Sequence, residues 1–176
     1  MSTPSAKLSV LVCHDFACVK IAGRANFISS PDFKTLLTEL NQKGYSRFII
    51  DLSECVLMDS TFLGVLAGFG LVMIPVGDSG KCNLELLNPS PRIRELLENL
   101  GALHLFKILS GELVLPDDVT SCIPESIHPT HEQITRTSLE AHQTLMAVNP
   151  ENIARFKDVT QFLAEDLQNL QKCRQP

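Results

Sequence analysis

One apolar stretch constrains the fold of this sequence more than any other feature: FIIDLSECVLMDSTFLGVLAGFGLVM, which spans residues 48–73. Residues 48–52 are almost continuously apolar, which is typical of a strand with both faces covered. After a short polar break, residues 59–73 predict a helix that is apolar on nearly every side and therefore largely buried. A strand that leads into a helix places the first helical residues at the carboxyl end of the sheet, where α/β folds usually hold their sites. Ser60 is therefore expected at a functional position.

The residues before and after this stretch alternate between predicted strands and helices. Residues 8–13 and 17–23 are rich in Val, Ile and Leu and predict two strands joined as a hairpin. Apolar residues at i, i+3, i+4 and i+7 predict two amphipathic helices, each with serine and proline at its start and glycine after its end. These helices start at Ser30 and Ser90 and end before Gly44 and Gly101, and further strands are predicted at residues 83–87 and 103–109. The alternation predicts an α/β sandwich whose mixed β-sheet is covered by helices.

Residues 60–77 carry no charge, which raises the question of a membrane-spanning helix. A spanning helix needs about 20 predominantly apolar residues, whereas this run begins with two hydroxyl side chains and contains several glycines and Pro75. We therefore predict a buried helix and no membrane span. The Gly64-x-x-x-Gly68 spacing within it is expected to let the helix lie close against the sheet.

Composition and charge argue against several classes of function. The formal net charge of −5 and the lack of a Lys/Arg cluster argue against direct binding of nucleic acid, which requires a basic face. The first twelve residues contain one lysine and no long apolar core, so no secretory signal is visible and a cytoplasmic location is expected. No phosphate loop or dinucleotide fingerprint occurs, and residues 77–81, GDSGK, predict a turn. No cofactor is expected.

The cysteines and histidines predict neither a disulfide framework nor a metal site. Six cysteines are spread along the chain without a CxxC pair, which favours reduced, buried thiols. His128 and His131 lie near Cys122 and Glu132, but a proline-bearing segment gives them no fixed common face. No metal is expected.

The composition changes after Leu115. Residues 116–129 contain three prolines and several short polar residues, which is typical of a linker. Thr130-x-x-Gln133 predicts a capping box and Asn149-Pro150 predicts a second helix start, so residues 130–171 are expected to form an antiparallel helical pair. The apolar residues of both helices recur three and four residues apart. That spacing suits a homodimer through these helices and packing back on the main domain equally well.

The local chemistry of Asp59-Ser60-Thr61 supports two interpretations. All three side chains can accept hydrogen bonds from free backbone N–H groups at a helix start, so they predict a helix cap. The partial positive charge of a helix start also stabilises a phosphate, and a phosphoserine adds about −1.5 to −2 units of charge at neutral pH. The negative charge of Asp59 opposes this, and the apolar Phe62 follows close by. A partner bound at this surface would therefore respond to a phosphate on Ser60.

At these residues the sequence resembles the STAS domains, typified by bacterial anti-sigma factor antagonists. The resemblance covers roughly residues 8–115 and is most specific in Asp51-Leu52-Ser53 and in Met58-Asp59-Ser60-Thr61-Phe62-Leu63-Gly64-Val65-Leu66. We therefore expect a STAS-like domain at residues 1–115, a linker at 116–129 and a C-terminal helical extension at 130–171. The minimal family domain has no counterpart of the extension.

The resemblance also implies partners and a binding surface. In the family, an anti-sigma factor with serine kinase activity phosphorylates the first serine after the motif aspartate, and a phosphatase reverses the modification. The matching residue is Ser60. Asp59, Thr61 and Phe62 are then expected to contact the partner, together with Asn26, which stands where the family often has an aspartate. The implied function is a phosphorylatable protein–protein interaction switch without enzyme activity of its own.

Two other classes of function are considered beside the switch. A STAS module can serve as a non-switching scaffold or as an accessory subunit of a transporter or signalling complex. An α/β domain of this size can also bind a small ligand. Only the switch requires Ser60 to accept a phosphate.

Overall fold

A mixed β-sheet lies at the centre of the computed structural model, which describes residues 5–14, 16–73 and 84–174. Within these residues the strands are β1 (Lys7–Cys13), β2 (Phe16–Ala25), β3 (Arg47–Asp51), β4 (Cys55–Met58), β5 (Leu84–Leu87), β6 (Lys107–Leu109) and β7 (Thr120–Cys122). The helices are α1 (Ser30–Gln42), α2 (Ser60–Val72), α3 (Pro91–Asn99), α4 (His131–Val148) and α5 (Asn152–Lys172), with a 3-10 turn at Leu103–Leu105.

The strand order across the sheet is β6-β5-β3-β2-β1-β7, and β4 pairs separately with the end of β2. β2, β3, β5 and β6 run parallel, because α1, α2 and α3 form the crossovers between them. β1 pairs antiparallel with β2, as the predicted hairpin requires, and also with β7. The predicted fold class, an α/β sandwich with a mixed sheet and a C-terminal helical pair, is confirmed.

Several helix starts follow from the predicted local chemistry. Ser90 caps α3, since its Oγ accepts a hydrogen bond from the Ile93 N–H at 3.3 Å. The capping box of α4 is complete: Thr130 Oγ1 accepts from the Gln133 N–H at 3.2 Å, and Gln133 Oε1 accepts from the Thr130 N–H at 2.8 Å. Both helices therefore begin where the sequence places them.

α1 and α5 begin close to their predicted caps but not at them. The N-cap of α1 is Ser29, and Ser30 is already helical. Asn149 is the C-cap of α4 rather than the N-cap of α5, which begins at Asn152. The reason lies in the turn between the helices, where Asn149 Oδ1 accepts a hydrogen bond from the Glu151 N–H at 3.1 Å.

Two strands were not predicted. β4 occupies the expected polar break before α2, and β7 lies inside the segment 116–129 that was expected to be a linker only. Strands of three or four residues are too short to show a period in the sequence. The predicted strand at 103–109 is reduced to β6, because residues 103–105 form the 3-10 turn. The predicted turn at 77–81 lies outside the described residues.

The helices cover one face of the sheet, where the main core lies. Phe48 and Ile50 of β3 point into this core, which also contains residues of α1, α2, α3 and α4. The opposite face holds a smaller cluster that includes Ile49 and Leu87 and packs against Leu113. The central strand is thus covered on both sides, by a helical layer on one and by the chain around Leu113 on the other.

The C-terminal helical pair packs back on the main domain, which is one of the two arrangements that the sequence favoured. α4 lies against α2 and α1 and contributes Ala141 and Leu145 to the main core, and α5 packs along α4. Independent folding of residues 1–115 stays a prediction. Within the described part of the chain, no helix has both the length and the apolar character needed to cross a membrane.

Candidate functional site

Ser60 is the first residue of α2, and Asp59 caps this helix. Asp59 Oδ1 accepts a hydrogen bond from the Phe62 N–H at 2.8 Å, and Oδ2 accepts one from the Phe27 N–H at 2.7 Å. The Asp59 N–H donates to the Ala25 carbonyl at the end of β2, at 2.9 Å. These bonds fix the start of α2 against the loop that follows β2, so the predicted helix cap is present.

Burial raises the pKa of the Asp59 carboxyl above its ordinary value. The hydrogen bonds from the Phe62 and Phe27 N–H groups lower this pKa, but desolvation is the larger effect. The site therefore combines the partial positive charge of a helix start with a carboxylate that is costly to ionise. Any further negative charge on Ser60 would lie beside this carboxylate.

Asn26 shapes the loop between β2 and α1. Its side-chain oxygen accepts hydrogen bonds from the N–H groups of Ile28 at 3.2 Å and Ser29 at 3.3 Å. The loop leaves the apolar side chains of Phe27 and Ile28 exposed, and the Phe27 N–H is bonded to Asp59. Sequence reasoning missed these two residues, although apolar residues in a predicted loop are a signal of a contact surface.

Thr61 and Phe62, which were expected to contact a partner, are both buried. Phe62 is 0% exposed, and its ring stacks on that of Phe33 with a centroid distance of 4.4 Å. These two side chains thus belong to the core beneath Ser60. Contact with a partner through Asn26, Asp59, Thr61 or Phe62 stays a prediction.

A histidine of α4, His142, binds the Ser60 hydroxyl. Ser60 Oγ lies 2.9 Å from His142 Nε2, and His142 Nδ1 lies 2.7 Å from the Ser138 carbonyl oxygen. A carbonyl oxygen can only accept, so Nδ1 carries the proton of the neutral ring and Nε2 accepts from the Ser60 hydroxyl. His142 is 6% exposed, and its ring meets that of Phe156 in α5 edge-on at 4.8 Å. Both C-terminal helices therefore help to hold the imidazole against Ser60.

Gly64 and Gly68 bring α2 close to α4 rather than to the sheet. A Cβ at Gly64 would lie 2.5 Å from the Ala141 carbonyl oxygen and 2.7 Å from the Ala141 Cβ. A Cβ at Gly68 would lie 3.7 Å from the Thr144 methyl group. The prediction that this spacing serves packing against the sheet is therefore wrong. Ser60, Gly64 and Gly68 follow one another at intervals of four residues, so they lie on the same face of α2.

Cys13, His14 and Asp118 form a cluster with the composition of a metal site. Cys13 Sγ donates to Asp118 Oδ1 at 3.0 Å, which lowers the pKa of Asp118, and His14 Nδ1 lies 3.2 Å from Asp118 Oδ2. The polar atoms of the three side chains bond to one another, and the His14 and Asp118 side chains are largely exposed. These bonds explain why the three residues cluster, without a metal ion. Among the described residues, His131 belongs to no such cluster and pairs with Asp166 at 3.2 Å.

A cavity of about 500 Å³ lies between β1, β2, α1 and residues 123–127. Lys20 Nζ, in its lining, donates to Glu54 Oε1 at 2.7 Å, and Asp32 Oδ2 accepts from Ser126 Oγ at 2.7 Å. These bonds engage side chains that could otherwise orient a ligand. The cavity therefore gives the small-ligand function no specific support.

The fold and the position of the capped helix agree with the comparison to known families. Residues 8–112 match the STAS domain, a span that includes β2 to β6, α1 to α3 and all of β1 except Lys7. The chain therefore belongs to the STAS domain family, and the resemblance seen in the sequence is confirmed. β7, α4 and α5 lie outside the match.

Particular relatives resemble the chain over the same domain. It is 29% identical over 97 residues to an anti-sigma-B factor antagonist from Staphylococcus epidermidis, with 55% of this chain and 86% of that protein covered. A solved structure of a candidate anti-sigma factor antagonist from Thermotoga maritima matches with a TM-score of 0.50 and 19% identity, over 59% of this chain and 86% of that one. The phosphorylated form of the Bacillus cell fate determinant SpoIIAA matches with a TM-score of 0.45 and 17% identity, over 58% and 89% of the two chains.

Proposed function

We propose that this protein is a phosphorylatable protein–protein interaction switch. An anti-sigma factor with serine kinase activity binds the surface around Ser60 while this residue is unmodified, and phosphorylation of Ser60 releases the partner. A serine phosphatase restores the binding form. The proposal extends to this chain the antagonism of anti-sigma factors that is named for its relatives.

The observation that carries the proposal is the position of the Ser60 hydroxyl at the first residue of α2. Phosphorylation transfers the γ-phosphoryl group of ATP to Ser60 Oγ, releases ADP and passes the hydroxyl proton to a base of the kinase. The first turn of α2 favours the new negative charge, and Asp59 beside it opposes the charge. About −1.5 to −2 units of charge next to the exposed Phe27 and Ile28 would weaken an apolar interface formed there.

The alternative is a STAS module without a switch, which acts as a scaffold or as an accessory subunit of a transporter or signalling complex. The contact between Ser60 and His142 favours this alternative, because the hydroxyl already has a partner within the chain. Ser60 would then be part of the junction between the STAS domain and α4. No phosphate would be found on it.

Mass spectrometry of the protein from its own cells, combined with capture of its bound kinase, tests the switch. We expect phosphate on Ser60. Ser60→Ala should retain the partner persistently, because it removes the acceptor hydroxyl and adds no charge. Ser60→Asp should weaken binding only in part, because one charge replaces the phosphate charge of about −1.5 to −2. Ser60→Ala loses a hydrogen bond worth about 0.5–1.5 kcal/mol, too little to unfold a domain with a stability of about 5–15 kcal/mol.

The neighbouring hydroxyl provides the control for this test. Thr61 is buried and offers no hydroxyl to a kinase, so Thr61→Ala should leave the phosphate on Ser60 in place. Equal binding by wild type, Ser60→Ala and Ser60→Asp, with no phosphate on Ser60, would remove the switch and leave the scaffold.

A further inference from the structure

The face of α2 that carries Ser60 is covered by the chain's own C-terminal helices. The Ser60 hydroxyl is bonded to His142, and one turn further along α2 the backbone of Ala141 lies where a side chain of residue 64 would stand. A phosphoryl donor has to approach Ser60 Oγ in line with the bond that forms. In this structure His142 and the helix that carries it lie against that atom.

The two helices that cover Ser60, α4 and α5, lie outside the STAS domain match. The STAS match ends at residue 112, and α4 begins at residue 131, after a largely exposed segment. Elsewhere among the described residues, Lys34 of α1 pairs with Glu140, and Asn152 Nδ2 donates to the Leu100 carbonyl at 2.9 Å. α4 packs on the helical layer and adds no strand to the sheet. The sheet therefore takes no strand from the helical pair, although α4 adds Ala141 and Leu145 to the main core.

We infer that the α4–α5 pair is an internal lid on the Ser60 surface, and that the kinase reaches Ser60 only after α4 has left α2. This inference rests on the proposed function, because it assigns a regulation to the same serine. The kinase and α4 compete for one surface, so the apparent affinity of the kinase falls in proportion to the open fraction. By reciprocity, a bound partner holds the lid open.

The contacts of α4 with the Ser60 face of α2 also indicate what a competing partner would meet there. α4 presents a small residue, Ala141, to Gly64 and a hydrogen-bond acceptor, His142, to the Ser60 hydroxyl. A partner that displaces α4 therefore meets a surface with no side chain at Gly64 and with the Ser60 hydroxyl free to donate.

The reactivity of a thiol at position 60 tests the lid in the whole chain, without a partner and without phosphorylation. In a Ser60→Cys chain, the rate of alkylation of residue 60 by iodoacetamide is followed by mass spectrometry of its peptide. The additional change Ala141→Leu places a larger side chain against Gly64 and should lift α4 from α2. We expect alkylation at residue 60 to become at least about fivefold faster.

Ala147→Leu is the matched control, because the same substitution falls at an exposed position of α4 and should leave the rate at residue 60 unchanged. Cys18 reports on unfolding of the domain, because it is 1% exposed and burial raises the pKa of its thiol to about 12. His142→Ala loosens the lid in a second way, because it removes the imidazole that lies against residue 60 and adds no bulk. It should also accelerate alkylation at residue 60.

Faster alkylation at residue 60 in Ala141→Leu or His142→Ala, with Cys18 unreactive and the control unchanged, supports the lid. An unchanged rate at residue 60 in both variants overturns it. A rate that rises only together with that of Cys18 also overturns it, because α4 would then be inseparable from the domain. Absence of phosphate on Ser60 would remove the switch but would not change the outcome of this measurement, so the two proposals can fail separately.

Discussion

At the scale of single residues, Asp59 couples the charge of the site to the stability of the fold. Its two carboxylate oxygens accept hydrogen bonds from different segments, from Phe62 in α2 and from Phe27 in the preceding loop. Burial still raises the pKa of the carboxyl above its ordinary value of 3.8. The folded state therefore binds this proton more tightly than the unfolded state.

This pKa shift predicts the sign of a pH dependence. Between the ordinary pKa of 3.8 and the higher folded pKa, the folded state holds more protons, so the contribution of Asp59 to stability falls as the pH rises. Asp59→Asn keeps an oxygen for the cap but cannot ionise. We expect the free energy of unfolding of wild type, minus that of Asp59→Asn, to decrease as the pH rises from the ordinary pKa of 3.8 through the higher folded pKa, and then to stay level. Urea unfolding of both proteins across this range measures the difference.

The other titrating groups occur in both wild type and Asp59→Asn, so their contributions to the pH dependence largely cancel in the difference. An increase of the difference with pH would mean that the fold stabilises the Asp59 carboxylate. The hydrogen bonds from Phe62 and Phe27 would then outweigh its desolvation.

At the scale of elements, the contact between α2 and α4 depends on one glycine much more than on the other. A methyl group at Gly64 would meet the Ala141 backbone at 2.5 Å, whereas at Gly68 it would meet only a Thr144 methyl group at 3.7 Å. Gly64→Ala should therefore lower the free energy of unfolding by about 1–3 kcal/mol through overpacking. Urea unfolding at neutral pH measures this change.

Gly68→Ala is the control on the same face of the same helix. It should be neutral or stabilise by up to about 1 kcal/mol, because alanine is the better helix former and the contact is ordinary. Equal effects of the two substitutions would contradict the close approach at Gly64.

The elements that could be predicted are those with a complete period or a complete cap. The apolar stripe of α1 spans residues 33–40, and Thr130 with Gln133 forms the whole capping box of α4. β4 could not be predicted, because its four residues follow the polar pair Ser53 and Glu54 and gain their stability from pairing with the distant β2. β7 depends in the same way on β1.

At the scale of the whole molecule, the position of Ser60 could be predicted but its surroundings could not. A strand followed by a helix places Ser60 at the end of the sheet, whatever the rest of the chain does. The identity of what covers that helix depends on contacts between residues about 80 positions apart, such as Ser60 with His142. The apolar spacing in α4 predicts that one face of this helix is buried, but it does not identify the element against which that face packs. Nothing in the sequence distinguishes His142 from any other histidine beside an apolar stripe.

Association through the C-terminal helices stays a proposal, and α5 supplies its test. Packing on α4 leaves Phe162 66% exposed and Ile153 50% exposed on α5. If a second copy covers Phe162, sedimentation should show a concentration-dependent dimer. Phe162→Glu should weaken it at least about tenfold by burying an unpaired charge.

Gln168→Glu adds the same charge at another exposed position of α5 and should leave the dimer intact. A wild-type protein that stays monomeric at all accessible concentrations would contradict the dimer.

The sheet is bounded on both sides by strands of only three residues, β6 and β7. An edge strand offers unpaired N–H and C=O groups to any other extended chain, and a short edge offers few. Without β7, the seven residues of β1 would form a long open edge. β7 lies in the segment whose composition is typical of a linker, and its three exposed residues pair with residues 10–12 of β1. This pairing protects the sheet against strand addition and aggregation.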